Sequence, residues 1–571
     1  MEALPISAPN PAPNQPPLPP HQEGWEQLVG PLTGTAVICL DDGGPVIVAL
    51  AQRCARVCVV SAQARPAWNT WSHVEVIAQD SLGTMLAREG ASFDGLVLSD
   101  LPGQSQESYA GGMEALLLQT RPLLREGAFV LLAAPNRWGL NRERIRRVFR
   151  GTHAWSSRAL VQQMRRAGAQ GATIHPVLID EQARISEVIA PTGYRATKNV
   201  GLLRESIKQW LWGSRSARWF APGLMCIAWI GAPRTRLIDA VAQKLPHTAA
   251  APRWTQYLVL LSGKVIATFV DPCRQEAPRV VVMTRDALAI DRRAREAETL
   301  RHLATTLPAP LAALLPRVLD RFSLDGNECF VLQHIPGVTA DAVVPGLDRV
   351  TLASLDFLLS LHRVTATRRV MDEDEWSRVL QPMFDSAVAR NGVVATELRA
   401  LEKCIRDRVV GQVWTAACSH GDFKIENVMY DPTSFHLTGV IDWEHALPDG
   451  LPYIDLAYLF TYNRMLQGQP WLLAAQALLS GHITPQEKSL EARYWQALDA
   501  PERLVAVLRA LVIVHHIGVR WHGEWAGQVK AALTALLQSC IALVEQTPLP
   551  PSPAAGMPPP SRRPVADRHV A

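Results

Sequence analysis

Three oxygen-bearing side chains in the C-terminal half have types and spacing suited to chemistry. Asp422 and Asn427 lie in CSHGDFKIENVMYDP, and Asp442 lies in LTGVIDWEHALPDG. His420 precedes the first acid by two residues. A carboxylate such as Asp422 can orient a hydroxyl and take its proton. Asn427 offers a neutral oxygen and Asp442 a charged one, the hard donors that Mg²⁺ prefers. A base and an oxygen pair for Mg²⁺ are what phosphoryl transfer requires.

Those residues need elements to bring them together. VMYDPTSFHLTGVID has turn residues between two apolar runs, so a hairpin would carry Asn427 and Asp442 into one cleft. Upstream, YLVLLSG, KVIATFVD and RVVVMTR read as three short strands, followed by the helix ALAIDRRAREAETLRHLATTL. After ECFVLQHIPG the pattern is helical to about residue 546. An antiparallel sheet with one helix, then a helical lobe, is an α+β bilobal layout.

The His-x-Asp-x-x-x-x-Asn spacing followed by an Asp is that of a kinase catalytic loop. HGDFKIENVMY, GVIDWEHA, LPYIDLAYLF, RAREAETL, VLQHIPG and LLSLHRVTA together resemble the aminoglycoside phosphotransferase and choline kinase-like family over roughly residues 255–540. The resemblance implies a protein-kinase-like fold and transfer of the γ-phosphate of ATP (or GTP) to a hydroxyl of a small molecule, such as a sugar or amino alcohol. It implies Asp422 as catalytic base, Asn427 and Asp442 as Mg²⁺ ligands, and Asp455 as a structural acid. Glu296 would face the phosphates, and backbone groups at Gln333, His334 and Ile335 would contact the base of the nucleotide. The chain departs from the family on the third strand, where a Lys is expected and Val282 or Met283 stands. Arg285 or Lys264 could supply the missing cation; otherwise the region is a weak kinase or a pseudokinase that keeps a metal site.

The N-terminal half alternates strand and helix: TAVICL, VCVV, VEVIAQ, LGTMLARE, FDGLVLSDL, GGMEALLLQTRPLLREG, AFVLLAAPN, then WSSRALVQQMRRAG and the late strand MCIAWI. Such alternation predicts βαβ units and a parallel, doubly wound α/β sheet. Its order and phrasing resemble class I S-adenosylmethionine-dependent methyltransferases, a Rossmann-like fold, over roughly residues 30–233. The resemblance implies S-adenosylmethionine (SAM) at the turn holding Asp41, Gly43 and Gly44. Later glycines of that turn are missing, and the second strand ends in Ser61 where an acid would bind ribose hydroxyls. A degenerate scaffold and an active methyltransferase are both open readings, and the losses favour the scaffold.

These readings divide the 571 residues into a proline-rich end (1–24), a methyltransferase-like domain (25–235), a linker (236–252), a kinase-like N-lobe (253–334), a helical C-lobe (335–546) and a proline-rich tail (547–571). A formal charge of +4 does not single out nucleic acid as a partner. The arginines from Arg142 to Arg150 read as a solvated helix face. No signal peptide or membrane span is read, and nine scattered cysteines, Cys54 and Cys58 among them, read as buried thiols of a cytoplasmic protein. His515, His516 and His522 read as satisfied core histidines, and Trp210 and Trp212 as part of an apolar surface.

Overall fold

The computed structural model describes residues 28–547 except 41–46, 61–70, 100–116, 136–155, 180–184, 190–222, 499–503 and several shorter gaps. Asp41, Gly43, Gly44, Ser61, the arginines from Arg142 to Arg150, Trp210, Trp212, His522, the proline-rich end 1–24 and residues 548–571 of the tail lie outside the described residues. The chain forms two compact units. One takes residues up to 196, 203–291 and 318–334; the other takes 197–202, 292–317 and 335 onward.

The first unit is organised on a 13-stranded sheet. Its parallel part comprises β1 (Ala36–Leu40), β2 (Arg56–Val60), β3 (Val74–Ile77), β4 (Phe93–Ser99) and β5 (Leu124–Pro135), ordered β3-β2-β1-β4-β5. Alternate residues of these strands enter two different cores. Val37, Cys39, Val57, Val59, Phe129 and Leu131 face one. Ile38, Cys58, Val60, Ala128, Val130 and Leu132 face the other. Burial on both faces explains why AVICL in β1, VCVV in β2 and AFVLLAA in β5 are continuous apolar runs rather than alternating ones. Helices α1 (Leu82–Glu89) and α2 (Ser157–Arg166) cover one face through Met85, Leu160 and Met164. Helix α3 (Leu237–Lys244), inside the stretch read as a linker, covers the other through Ile238 and Val241.

The expected helix before β5 ends early. Pro122 sits in a 3₁₀ turn at Arg121–Leu123, and β5 begins at Leu124, which pairs with Phe93. Proline suits the first turn of a helix and disfavours helix for the residue before it, so it marks the boundary.

Beyond β5 the sheet turns antiparallel. The strands β6 (Gln170–Ile179), β7 (Ile185–Ile189) and β8 (Gly223–Trp229) add in the order β8-β6-β7. β7 then pairs with β9 (Arg253–Val259) at Val188↔Tyr257. Strands β10 (Val265–Val270), β11 (Arg279–Thr284), β12 (Val318–Leu324) and β13 (Asn327–Gln333) complete it, with the three predicted strands at 253–284 all antiparallel. β10 buries Val265, Ala267 and Phe269 and leaves the alternate residues half-buried, the pattern of a sheet covered on one side.

In the second unit, most of helix α4 (Ala287–Thr306) precedes a helical lobe. Its helices include α5 (Leu347–Thr365), α6 (Glu373–Val379), α7 (Gln381–Arg390), α8 (Ala395–Val409), α9 (Tyr453–Leu466), α10 (Trp471–Leu479), α11 (Pro485–Leu498), α12 (Val505–Arg520) and α13 (Gly523–Glu545). They enclose a core containing Trp376, Phe384, Leu398, Tyr453, Tyr494 and Leu511. Two small sheets serve the loops: β14 (Val338–Thr339), β17 (Val428–Tyr430) and β18 (Leu437–Val440), and β15 (Thr367–Val370), β16 (Val413–Ser419) and β19 (Leu447–Gly450). Among the described residues, no helix is long and apolar enough to cross a membrane.

Candidate active site

β16 delivers the chain to Ser419, and the segment from His420 follows as a tight loop. Asp455, at the start of α9 and fully buried, clamps that loop. Its carboxylate accepts the His420 N–H at 2.7 Å and the Gly421 N–H at 2.8 Å. His362 Nε2 donates to the same carboxylate at 3.2 Å, and Tyr494 O–H donates to His362 Nδ1 at 2.7 Å. From the other side, His515 Nε2 donates to the Gly421 carbonyl at 2.7 Å. Gly421 has φ +76°, and a Cβ there would lie 2.3 Å from the His445 carbonyl oxygen. Only glycine fits both restrictions.

His420 faces a carbonyl with Nε2, Ile441 O at 3.0 Å, and the Asp422 N–H with Nδ1 at 3.3 Å. The proton therefore belongs on Nε2. Its ring centroid is 4.7 Å from that of Trp443. His420 thus ties the catalytic-loop candidate to the segment carrying Asp442, a structural use of the histidine.

Asn427 and Asp442 come together as the hairpin pattern predicts. β17 and β18 pair antiparallel, Val428 opposite Val440, and Ile441 N–H donates to the Asn427 carbonyl at 2.8 Å. Asn427 Nδ2 donates to the Asp422 carbonyl at 2.9 Å and to Asp422 Oδ2 at 3.1 Å. With its nitrogen committed there, the amide presents oxygen at its other end, the donor a cation needs. Asp422 is fully buried, and Lys424 Nζ lies 3.8 Å from its Oδ2. Lys424 also faces Glu426 at 3.1 Å and the Tyr462 ring at 5.5 Å.

Asp442 differs in its backbone, at φ +67°. A non-glycine residue in that region is uncommon, and Asp tolerates it better than most. Its Oδ1 accepts from Arg293 Nη2 at 2.9 Å. Arg293 is 3% exposed, one helical turn before Glu296 on α4. Arg293 Nη1 donates to Glu296 Oε2 at 2.5 Å, and Nη2 lies 3.5 Å from Glu444 Oε2. Glu296 Oε1 accepts the Trp443 N–H at 2.9 Å. Burial works against the Arg293 charge, but the Glu296, Asp442 and Glu444 carboxylates more than offset it and hold the pKa above its ordinary value. Burial raises the Glu296 carboxyl, and Arg293 opposes that rise.

The cation that Glu296 holds is therefore Arg293, which the sequence reading did not single out. An Arg three residues before the helix acid was the available signal. Lys424 and Glu444 were also missed, although each adjoins a motif residue. Val282 and Met283 are buried apolar residues of β11. Arg285, in the first unit, is committed to Asp325 at 3.0 Å, and Lys264 is buried there too. Gln333 ends β13, and the His334 N–H donates to the Pro278 carbonyl at 3.1 Å, so that donor is in use. Ile335 belongs to the second unit, where Gly439 leaves room for it: a Cβ there would lie 2.6 Å from Ile335 Cγ2.

His516 stacks on Trp471 at 4.0 Å between centroids, in keeping with a core histidine. Near the clamp, a cavity of about 310 Å³ is lined by Val379, Pro382, Met383, Leu447, Val519 and the loop-holding His515, among others. Its charged walls, Arg378 and Asp449, lie 3.5 Å apart. Among the described residues, no group of three or more His, Cys, Asp or Glu forms a metal cage. An Asn and an Asp suit Mg²⁺, which often takes one or two protein oxygens and completes its shell with water and phosphate.

Residues 272–488 match the model of the phosphotransferase enzyme family. A 155-residue stretch is 28% identical to acyl-CoA dehydrogenase family member 11 of Gallus gallus, covering 24% of this chain and 19% of that protein. The match thus spans about a fifth of that relative's length. Among solved structures, an aminoglycoside-3'-phosphotransferase of type VIII is 20% identical, covering 49% of this chain and 97% of that one, with a TM-score of 0.32. An aminoglycoside phosphotransferase of Streptomyces rimosus, in complex with ADP and streptomycin, is 18% identical over 46% of this chain and 92% of its own, with a TM-score of 0.31.

Proposed function

We propose that the second unit carries the catalytic loop of a phosphotransferase that moves the γ-phosphate of ATP (or GTP) to a hydroxyl of a small molecule. The observation that carries this reading is the convergence of Asp422, Asn427 and Asp442, held by Asp455 and the β17–β18 hairpin. The phosphotransferase family match over residues 272–488 supports it. Asp422 is the base: it takes the acceptor's proton as the hydroxyl attacks. Asn427 and Asp442 would hold Mg²⁺, which neutralises phosphate charge when bound. Lys424 keeps positive charge beside Asp422. The acceptor is a hydroxylated compound with an apolar portion, since Val379, Pro382, Met383, Leu447 and Val519 line the cavity beside the clamp.

Calorimetry with Mg·ATP and Mg·GTP on the full chain and on Asp442→Asn tests this reading. Binding by the wild type that is lost in the variant supports it. No binding by either at millimolar nucleotide removes it, and leaves a non-catalytic scaffold.

The first unit supports a methyltransferase-like reading through its sheet. The order β3-β2-β1-β4-β5 reverses direction between β1 and β4, and ligands of such sheets bind at the carboxyl ends of strands at that switch point. Asp41, Gly43 and Gly44 directly follow β1 in the chain. The missing glycines and Ser61 favour a scaffold that no longer holds S-adenosylmethionine. A rise in melting temperature with that cofactor would overturn the scaffold reading.

A further inference from the structure

We infer that Arg293, on helix α4, is the phosphate-facing cation of this protein. The inference rests on the phosphotransferase reading above. Transfer of a phosphoryl group needs fixed positive charge near the phosphate oxygens. The lysine that the family resemblance leads one to expect is absent at its place in the sequence, where Val282 and Met283 stand as buried apolar residues.

Arg293 occupies the position a cation would need with respect to the acids. It bridges Glu296 on its own helix and Asp442, the proposed Mg²⁺ ligand, through two different nitrogens of one guanidinium. A planar fork can do this, whereas the point charge of a lysine holds fewer fixed directions. Three carboxylates face this one cation.

A second observation is independent of the ion pairs. Arg293 Nε is buried and has no hydrogen-bond partner, although Nη1 and Nη2 of the same group are committed. A buried N–H left unmade costs about 1–3 kcal/mol, so a retained one calls for an occupant. An anionic oxygen of a nucleotide phosphate satisfies a guanidinium N–H best. Arg293 thus holds two acids with its terminal nitrogens and keeps a third donor for the ligand.

The test uses the full chain as wild type, Arg293→Lys and Arg293→Gln, titrated calorimetrically with Mg·ATP, Mg·ADP and adenosine. Arg293→Gln is expected to weaken Mg·ATP and Mg·ADP by roughly 10- to 100-fold. Arg293→Lys, which keeps the charge and loses Nε–H and the fork, should fall between the two. Adenosine, lacking phosphate, should bind all three within about 2-fold, a selectivity that a general loss of structure would not produce. If Arg293→Gln does not fold, the ratio of Mg·ATP to adenosine affinity in Arg293→Lys decides the matter. An unchanged ratio, or tighter Mg·ATP binding by either variant, overturns the inference and makes Arg293 a structural tie or a plug. A wild type that binds no nucleotide instead removes the underlying phosphotransferase reading.

Discussion

The two acids of the candidate site are held in opposite ways. Asp422 is fully buried on a loop whose backbone is tied to Asp455 and His515, and its carboxylate meets an amide. Asp442 stands on left-handed backbone, its side chain is 32% exposed, and a guanidinium holds it. Hydrogen bonds to backbone set direction and do not depend on a ligand's charge. An ion pair beside open solvent can be redistributed when a new charge arrives. The loop with Asp422 is therefore fixed by hydrogen bonds to its backbone, while the turn with Asp442 is held by an ion pair to a buried arginine; under the proposed function the first would serve proton transfer and the second would share its charge with a ligand.

That contrast can be broken first at Asp422, the proposed base. Asp422→Asn should cut phosphate transfer by roughly 10²- to 10⁴-fold. Mg·ATP affinity should stay within about 3-fold, since the charge-sharing half is intact. A steady-state assay paired with calorimetry separates the two, and equal losses in both would merge the halves. Asp455→Ala comes next. It leaves two buried N–H donors, His420 and Gly421, without their acceptor, and each such loss costs about 1–3 kcal/mol. We expect about 3–5 kcal/mol from denaturant titration, with Asp455→Asn recovering part of it. An unchanged midpoint would mean the clamp does not set the loop.

Gly421→Ala is expected to cost about 1–3 kcal/mol, because φ +76° and the His445 carbonyl at 2.3 Å both oppose a Cβ. A melting curve at or above the wild type's would show that the loop can yield. The smallest effect lies at the hairpin tip. Asp431 Oδ1 accepts from the N–H groups of Thr433 and Ser434 and from the Ser434 hydroxyl. Bonds from the Ser434 backbone and side chain, then from Thr433, lower its pKa in the fold. A lowered carboxyl contributes stability above its unfolded value, about 3.9, and loses that contribution as pH falls through the folded one. Asp431→Asn should therefore narrow the gap to wild type only on the acid side of about pH 4. A difference that grows with acidity would contradict that sign.

Much of this was legible locally. Apolar runs such as RVCVV and AFVLLAA announced the parallel strands, and turn residues between VMY and LTGV announced the hairpin. The spacing of His420, Asp422, Asn427 and Asp442 marked the loop and hairpin that the fold brings together. What failed to show depends on contacts distant in sequence. Arg293 meets Asp442 across 149 positions, and His362 meets Asp455 across 93. β6 was missed because Gly171, His175 and Pro176 interrupt its apolar pattern. It is nevertheless built in, with Pro176 opposite Leu224 and His175 stacked on Trp254 at 5.8 Å. β7, also missed, is the strand that joins the two ends of the large sheet through β9.

That joining strand bears on how the chain can be divided. Cutting just before Arg253, where composition suggests a boundary, would strip β9 of its neighbour at Glu187–Ile189. A bared ladder of N–H and C=O groups would result, beside Trp254 and Tyr257, which are buried in the intact chain. Unprotected edges of this kind recruit foreign strands and clump. A fragment beginning there should self-associate, whereas the full chain, in which β7 covers β9, should stay monodisperse. The amino-terminal half thus acts as a stopper for a sheet that would otherwise be sticky.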